Sequence, residues 1–303
     1  MRLLMIFCDG VGIGRADPET NPFFHAPLPT FSSLLNSRLP HLRCQRVQTG
    51  QATLVPLNAT LRVSGLPQSG TGQTALITGV NAAKLIGKHF GPYPYSTLRP
   101  VLRAKNIFRQ LKDLGKRVCY ANAYPRQFFQ YLASGNTRLT ATVLSCLYAD
   151  VQIRDEPALV TGRAVSSDFT RERWRNLGYE QLETITPEQA GEHLYALSQE
   201  FDFTLFDYFF TDHAGHSQSM QQSVEVLRSL DRFIAGILSR FEEQETLLLL
   251  TSDHGNIEDL TTKSHTRNPV PLFLLGRRRD EVARELANLT HLTPCLVKAL
   301  ARG

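Results

Sequence analysis

Carboxylates and imidazoles gather in the second half of this chain. Asp212 and His216 share the stretch Asp212-His213-Ala214-Gly215-His216, Asp253 and His254 are adjacent, and His265 follows. Asp9 ends an apolar run at the N-terminus, Leu3 to Cys8. Carboxylate oxygens and imidazole nitrogens without sulfur form a donor set that suits Zn, Mn and related divalent ions. Their convergence predicts a site for two divalent metal ions, with zinc and manganese both open. Asp212 and His216 are read as lying on one loop, where Gly215 lets the backbone approach closely.

Chemistry at such a site needs a nucleophile, and Gly65 to Gly79 supplies hydroxyls in a Gly-rich turn that opens a helix. Free N–H groups and the helix dipole favour an anion there. Ser69 either caps that helix or, beside two metals, ionises and attacks phosphorus. Thr71, two residues on, is the rival.

Strand-like apolar runs alternate with helical patterns. Leu3 to Cys8, Val118 to Ala123, Phe203 to Phe210, Leu247 to Leu250 and Val270 to Leu275 read as strands. Val224, Leu227, Leu230, Ile234, Ile237, Leu238 and Phe241 form one helical face, and Thr293 to Ala301 a closing helix. Thr30 reads as the N-cap of a short helix from Phe31 to Asn36. This order predicts an α/β core with a mostly parallel sheet flanked by helices. Asp9, Asp212 and Asp253 fall at or just past the C-terminal ends of strands, the edge where open α/β sheets bind ligands. Residues 1–125 and 190–303 are expected to form the metal-binding core. Residues 126–189, with an extended Ala158 to Ala164, are expected to form a small inserted cap over the site.

Composition narrows the class. Of 303 residues, 42% are hydrophobic and 20% charged, as expected for a globular protein. No apolar run approaches the ~18 residues that would span a membrane. The five cysteines are scattered, which argues against a disulfide framework and for a reducing, cytoplasmic setting. The net charge of +5 suits an anionic ligand. The basic run Arg277-Arg278-Arg279 reads as a solvated turn.

At these residues the chain resembles the alkaline phosphatase superfamily, in particular the metalloenzyme branch of cofactor-independent phosphoglycerate mutase and phosphopentomutase. Asp9-Gly10-Val11-Gly12-Ile13-Gly14 is similar to the phosphopentomutase start. Asp253-His254-Gly255-Asn256 and His265-Thr266 leading to Val270-Pro271 are similar in both mutases. The resemblance implies an alkaline-phosphatase-like core, with one metal held by Asp212, His216 and His265. It implies a second held by Asp9, Asp253, His254 and the Ser69 hydroxyl, with Ser69 at the family's nucleophile position. Two departures bear on function: Gln68 stands where phosphopentomutase-like sequences carry Asp, and no large cap follows the nucleophile helix. The leading expectation is therefore a phosphoester hydrolase, a phosphatase or phosphodiesterase acting on a small-molecule phosphoester through a phosphoserine intermediate. A phosphomutase is the alternative. The sulfatase motif is missing at Ser69-Gly70-Thr71-Gly72-Gln73. Lys84, Lys88, His89, Arg126 and His213 are candidate substrate-phosphate contacts, with ordinary surface placement as the competing reading. A metal-stabilised RNA-binding module is a more remote alternative, because no RNP-like aromatic pattern supports nucleic-acid binding.

Overall fold

The computed structural model describes residues 1–302. Seven strands form one sheet: β1 (Arg2–Cys8), β2 (Val47–Gln48), β3 (Ala52–Leu57), β4 (Val118–Tyr120), β5 (Phe203–Tyr208), β6 (Thr246–Thr251) and β7 (Val270–Gly276). Their spatial order is β2-β3-β7-β6-β1-β5-β4. Strands β6, β1, β5 and β4 pair in parallel, whereas β7 is antiparallel to both β6 and β3, and β2 to β3. The sheet is thus mixed, with β1, β3, β4, β5 and β6 running one way, as the mostly parallel expectation requires, and β2 and β7 the other. An apolar run such as Val270–Gly276 is buried on both faces and carries no mark of its direction.

Alternate residues of each central strand feed opposite faces. Leu3, Met5 and Phe7 join one apolar cluster with Leu205, Leu249 and residues of the helices Ser69–Thr78 and Leu292–Ala301. Leu4, Ile6 and Cys8 join the other with Phe206, Leu250 and the helices Pro187–Ser198 and Met220–Leu238. The period-2 alternation of strand side chains therefore builds a three-layer helix–sheet–helix core.

Local expectations held in places and failed in others. Gly79 and Gly115 end helices in the left-handed region, at φ +75° and +72°. The helix expected from Phe31 runs from Pro29 to Leu34, and Thr30 does not cap it. Instead Asp231, buried on the long helix, accepts the Thr30 and Phe31 N–H groups at 3.1 and 2.9 Å. The stretch read as extended holds a short helix, Glu156–Val160, capped by the Asp155 side chain.

Within 126–189, the helix Arg126–Ala133 buries no residue, whereas Ala141–Tyr148 packs into the main apolar cluster. Phe169 stacks on Tyr208 and Phe233 at 4.4 and 4.0 Å between centroids. A small separate cluster joins Ala123, Leu159, Ala164, Trp174 and Leu182. Among the described residues no helix is long and apolar enough to cross a membrane.

Two core features give testable consequences. The helices Pro187–Ser198 and Met220–Leu238 meet through glycines: a Cβ on Gly236 would lie 1.9 Å from the Glu188 carbonyl oxygen, and one on Gly191 2.1 Å from that of Phe233. Gly236→Ala should lower stability by about 1–3 kcal/mol through overpacking, read as a fall in Tm with metal content unchanged. Asp207 is buried, and Tyr120 donates to its Oδ2 at 3.1 Å. Burial, only partly offset by Thr142 and Tyr120, pushes its carboxyl up to about 7. Because the folded value exceeds the unfolded one, its contribution is fully present below about pH 4 and is lost as pH rises toward 7, by roughly 4 kcal/mol. Asp207→Asn should therefore gain on the wild type between pH 4 and 7 and run parallel above it. A flat Tm difference across that window would refute the assignment.

Candidate metal centre

Strand directions explain why distant residues meet. Asp9 follows β1, Asp253 follows β6, and the Asp212 helix follows β5, all at the C-terminal ends of parallel strands. Strand β7 runs the other way, so His265, just before its start, reaches the same edge. Strand β3 is antiparallel to β7, with Leu57 opposite Val270, so the chain leaves β3 toward Ser69 from that edge as well.

Asp212 and His216 lie on a helix, Phe210–Ser217, and not on a loop. They stand one turn apart, with His216 Nε2 3.2 Å from Asp212 Oδ2. His265 Nε2 is 3.3 Å from His216 Nε2 and 3.6 Å from Asp212 Oδ1. His254 Nε2 lies 3.2 Å from Asp9 Oδ1, 3.6 Å from Asp253 Oδ2 and 2.9 Å from the Ser69 hydroxyl. Two groups have the spacing of a metal site, Asp212–His216–His265 and Asp9–Asp212–His254, and they share Asp212.

The imidazoles are oriented from behind. The Nδ1 of His216 donates to the Lys263 carbonyl and that of His265 to the Pro67 carbonyl, both at 2.8 Å. This turns the Nε2 lone pairs inward, the arrangement found behind metal-bound histidines. The His254 and His265 rings stack at 3.8 Å. Gln73 donates to Asp9 Oδ2 at 3.3 Å, and Asn256 to Asp212 Oδ1 at 2.7 Å.

The electrostatics fit a site for positive charge. Asp9 Oδ1 and Asp253 Oδ2 are buried without a hydrogen-bond partner. Burial and then the neighbouring Asp9 charge push the Asp253 carboxyl well above the carboxylate range. Burial alone would raise Asp9 too, but His254 beside it brings it below its ordinary value. Burial opposes the His254 charge, yet Asp253 and Asp9 outweigh it and push the ring up to about 10. Burial and the nearby His254 hold His265 below its usual value. Orphaned carboxylate oxygens beside inward-facing imidazoles are donors matched to a dication.

Ser69 and Thr71 are distinguished by their partners. Ser69 opens a ten-residue helix and its hydroxyl faces His254. The Thr71 hydroxyl is fully buried, donates to the Gln68 carbonyl at 3.1 Å and accepts from the Phe90 N–H at 3.2 Å, so it pins the following loop. The helix sits close to the acids because position 72 is glycine: a Cβ there would fall 2.8 Å from the Asp253 carbonyl oxygen.

The expected phosphate contacts are less well gathered. Among the described residues, the side chains of Lys84, Lys88, Arg126 and His213 make no hydrogen bond or ion pair with the cluster. Lys88 lies over the Phe90 and Tyr95 rings at 5.7 and 5.9 Å. His213 packs on Phe209 and Phe210. His89 donates to the Thr60 carbonyl at 3.1 Å, and burial lowers its pKa. Sequence reasoning missed Gln73, Thr211, Glu258 and Asn268. Thr211 donates to the Asp9 carbonyl, and Asn268 to Glu258 at 3.0 Å. Only Glu258 left a signal, an acid closing the Gly255-Asn256-Ile257-Glu258 turn after a buried strand.

Comparison with known proteins agrees with this arrangement. Residues 1–301 match the metalloenzyme superfamily. The 2,3-bisphosphoglycerate-independent phosphoglycerate mutase of Methylobacillus flagellatus is 31% identical over 108 residues, 33% of this chain and 21% of that protein. The alignment thus spans about a fifth of that relative's length. The PH0037 protein from Pyrococcus horikoshii superposes with a TM-score of 0.58 at 14% identity, covering 99% of this chain and 96% of that one. The alkaline phosphatase from the Antarctic bacterium TAB5 gives 0.55 at 12%, covering 99% and 98%. At such identities the structural likeness speaks to the fold alone. A family match over nearly the whole chain, on an alkaline-phosphatase-like α/β fold with two candidate metal sites, makes this chain an enzyme of the metalloenzyme superfamily, the superfamily of the alkaline phosphatases.

Proposed function

We propose that this enzyme transfers phosphoryl groups through Ser69, as a phosphoester hydrolase acting on a small molecule. The observation that carries the reading is the Ser69 hydroxyl, at a helix N-terminus and 2.9 Å from His254, beside two orphaned carboxylate oxygens. Asp212, His216 and His265 would hold one divalent ion, and Asp9, Asp253, His254 and the Ser69 hydroxyl the other. The oxygen and nitrogen donors suit zinc or manganese. Such ions, when bound, supply charge stabilisation at phosphoryl oxygens and lower the pKa of hydroxyls and water.

The chain's own groups do the rest. Ser69 Oγ gives up its proton and forms a bond to phosphorus while the ester P–O bond breaks, and the leaving oxygen takes up a proton in exchange. Of the N–H groups in the first helical turn, that of Thr71 donates to the Phe90 carbonyl and that of Gly72 to Gln68. Those of Ser69 and Gly70 are left to bind phosphoryl oxygens. Water then cleaves the phosphoserine and releases phosphate. We assign the parts of residues 126–189 outside the core helix Ala141–Tyr148 to a cap that selects the substrate, with Arg126 on it as the candidate contact. Five free cysteines, four of them buried, support a cytoplasmic setting.

A phosphomutase is the second reading, favoured by the phosphoglycerate mutase relative. In that case the hydroxyl of the bound product, and not water, takes the phosphoryl group back. Between Thr78 and Val118 the chain forms only short helices and one 3-10 turn, which favours release over retention of the product.

Four measurements test these statements. With metal loaded, Ser69→Ala should cut turnover of p-nitrophenyl phosphate or a diester analogue by more than roughly 10³-fold. Acid quench should trap phosphate on Ser69, and Thr71→Val should still form that adduct. Release of free phosphate separates hydrolase from mutase; a labelled Thr71 would overturn the assignment of the nucleophile. Asp253→Asn removes a buried acid that repels Asp9, so it should raise Tm in chelator while erasing the Tm gain that the wild type shows with zinc or manganese. A wild type whose Tm ignores both metals would contradict the two-ion site.

A further inference from the structure

One carboxylate lies behind the metal centre and touches three of its ligand loops. Glu258 is 1% exposed. Its Oε2 accepts the Gly12 N–H at 2.9 Å, three residues after Asp9, and the Asn256 N–H at 2.7 Å, two residues after His254. Its Oε1 accepts from the Thr266 hydroxyl, next to His265, and from Asn268 Nδ2 at 3.0 Å. Four donors on two oxygens fill the capacity of a carboxylate. Asn256, held by this group, extends the tie to the fourth segment through its 2.7 Å bond to Asp212.

The sequence is built around this side chain. A Cβ on Gly12 would lie 2.2 Å from Glu258 Oε1, and one on Gly255 2.3 Å from the same atom. Neither glycine has a positive φ, so space and not backbone conformation requires them. The glycines of Asp9-Gly10-Val11-Gly12 and Asp253-His254-Gly255 thus open room for a buried acid that does not itself face the ligand cluster.

We propose that Glu258 is a positioning residue that sets the spacing between the two metal sites by anchoring the loops after Asp9, His254 and His265 to one acceptor. The proposal rests on the metal centre described above, and it makes Gly12 and Gly255 part of the same device. Glu258→Ala frees the loops and leaves buried N–H groups without partners. Glu258→Gln keeps one oxygen for Gly12 and Asn256, while its amide can donate to a rotated Thr266 hydroxyl and a flipped Asn268. Gly12→Ala displaces the acid without removing it.

The test is Mn2+ titration of the metal-free protein by calorimetry, together with the electron spin coupling between the two bound Mn2+ ions. Glu258→Ala and Gly12→Ala should weaken at least one site by about 10–100-fold and reduce the coupling. Glu258→Gln should stay within about tenfold of the wild type. The double variant Gly12→Ala/Glu258→Ala should be no worse than Glu258→Ala, because both changes act through one contact. Gly236→Ala, which loses stability far from the site, should bind Mn2+ as the wild type does. Wild-type affinity and coupling in Glu258→Ala would overturn the proposal. If that variant does not fold, wild-type behaviour of Gly12→Ala does the same. Loss of affinity in Gly236→Ala in step with its Tm would reduce Glu258 to a stability element. A wild type that binds neither Mn2+ nor Zn2+ removes the metal centre and this inference with it, whereas binding that persists in all variants removes the inference alone.

Discussion

Asp9 and Asp253 follow adjacent parallel strands, β1 and β6, and the sheet brings their carboxylates to one edge, where Asp253 is buried and Asp9 largely so. Two acids so placed repel each other and have little water to screen them. Much of the surrounding structure answers that constraint. His254 lies against both, Gln73 and Thr211 hold Asp9, and the Ser69 helix is pressed against the Asp253 backbone by a glycine. One acid is pulled below its ordinary value and the other pushed above it. A dication bound beside them, as proposed above, would relieve what the protein groups relieve only in part.

The sheet's mixed direction completes the site. Parallel strands alone deliver residues to one edge only at their C-terminal ends. By reversing β7, the chain brings His265 to that edge from the strand's beginning, and by reversing β3 against β7 it brings Ser69 there too. The candidate ligand set is therefore a product of topology, and the buried ladder of Leu and Phe residues holds it in register.

Much of this was legible in the sequence, for stated reasons. The ends of the apolar runs located Asp9 and Asp253, and the Gly-rich turn located the Ser69 helix. Strand direction was not legible, because Val270–Gly276 is apolar throughout and reads the same in either sense. Nor was the Asp231 cap of the Pro29 helix, which crosses 200 positions between Phe31 and its partner. The helix carrying Asp212 reads as a loop in the sequence because Gly215 and the polar run mask its period; its i,i+4 spacing is the available sign. Lys84 and Lys88 were nominated by charge alone, and charge does not fix where a flexible side chain points. Glu258 is hard to read because its partners, two backbone N–H groups, a hydroxyl and an amide, carry no charge, so the acid closing the turn after Gly255 is the one sign of it.

The antiparallel β6–β7 pair has a further consequence for how the molecule assembles. Asp253, His254, Glu258 and His265 all lie on the single connection between these two strands. Contacts so close along the chain close a small loop and cost little entropy, whereas Asp9 and Ser69 arrive from far upstream. The C-terminal half of the pocket is a chain-local cassette that can preorganise during folding. Pairing of β1 with β6 then delivers the N-terminal donor, which ties completion of the pocket to completion of the tertiary structure.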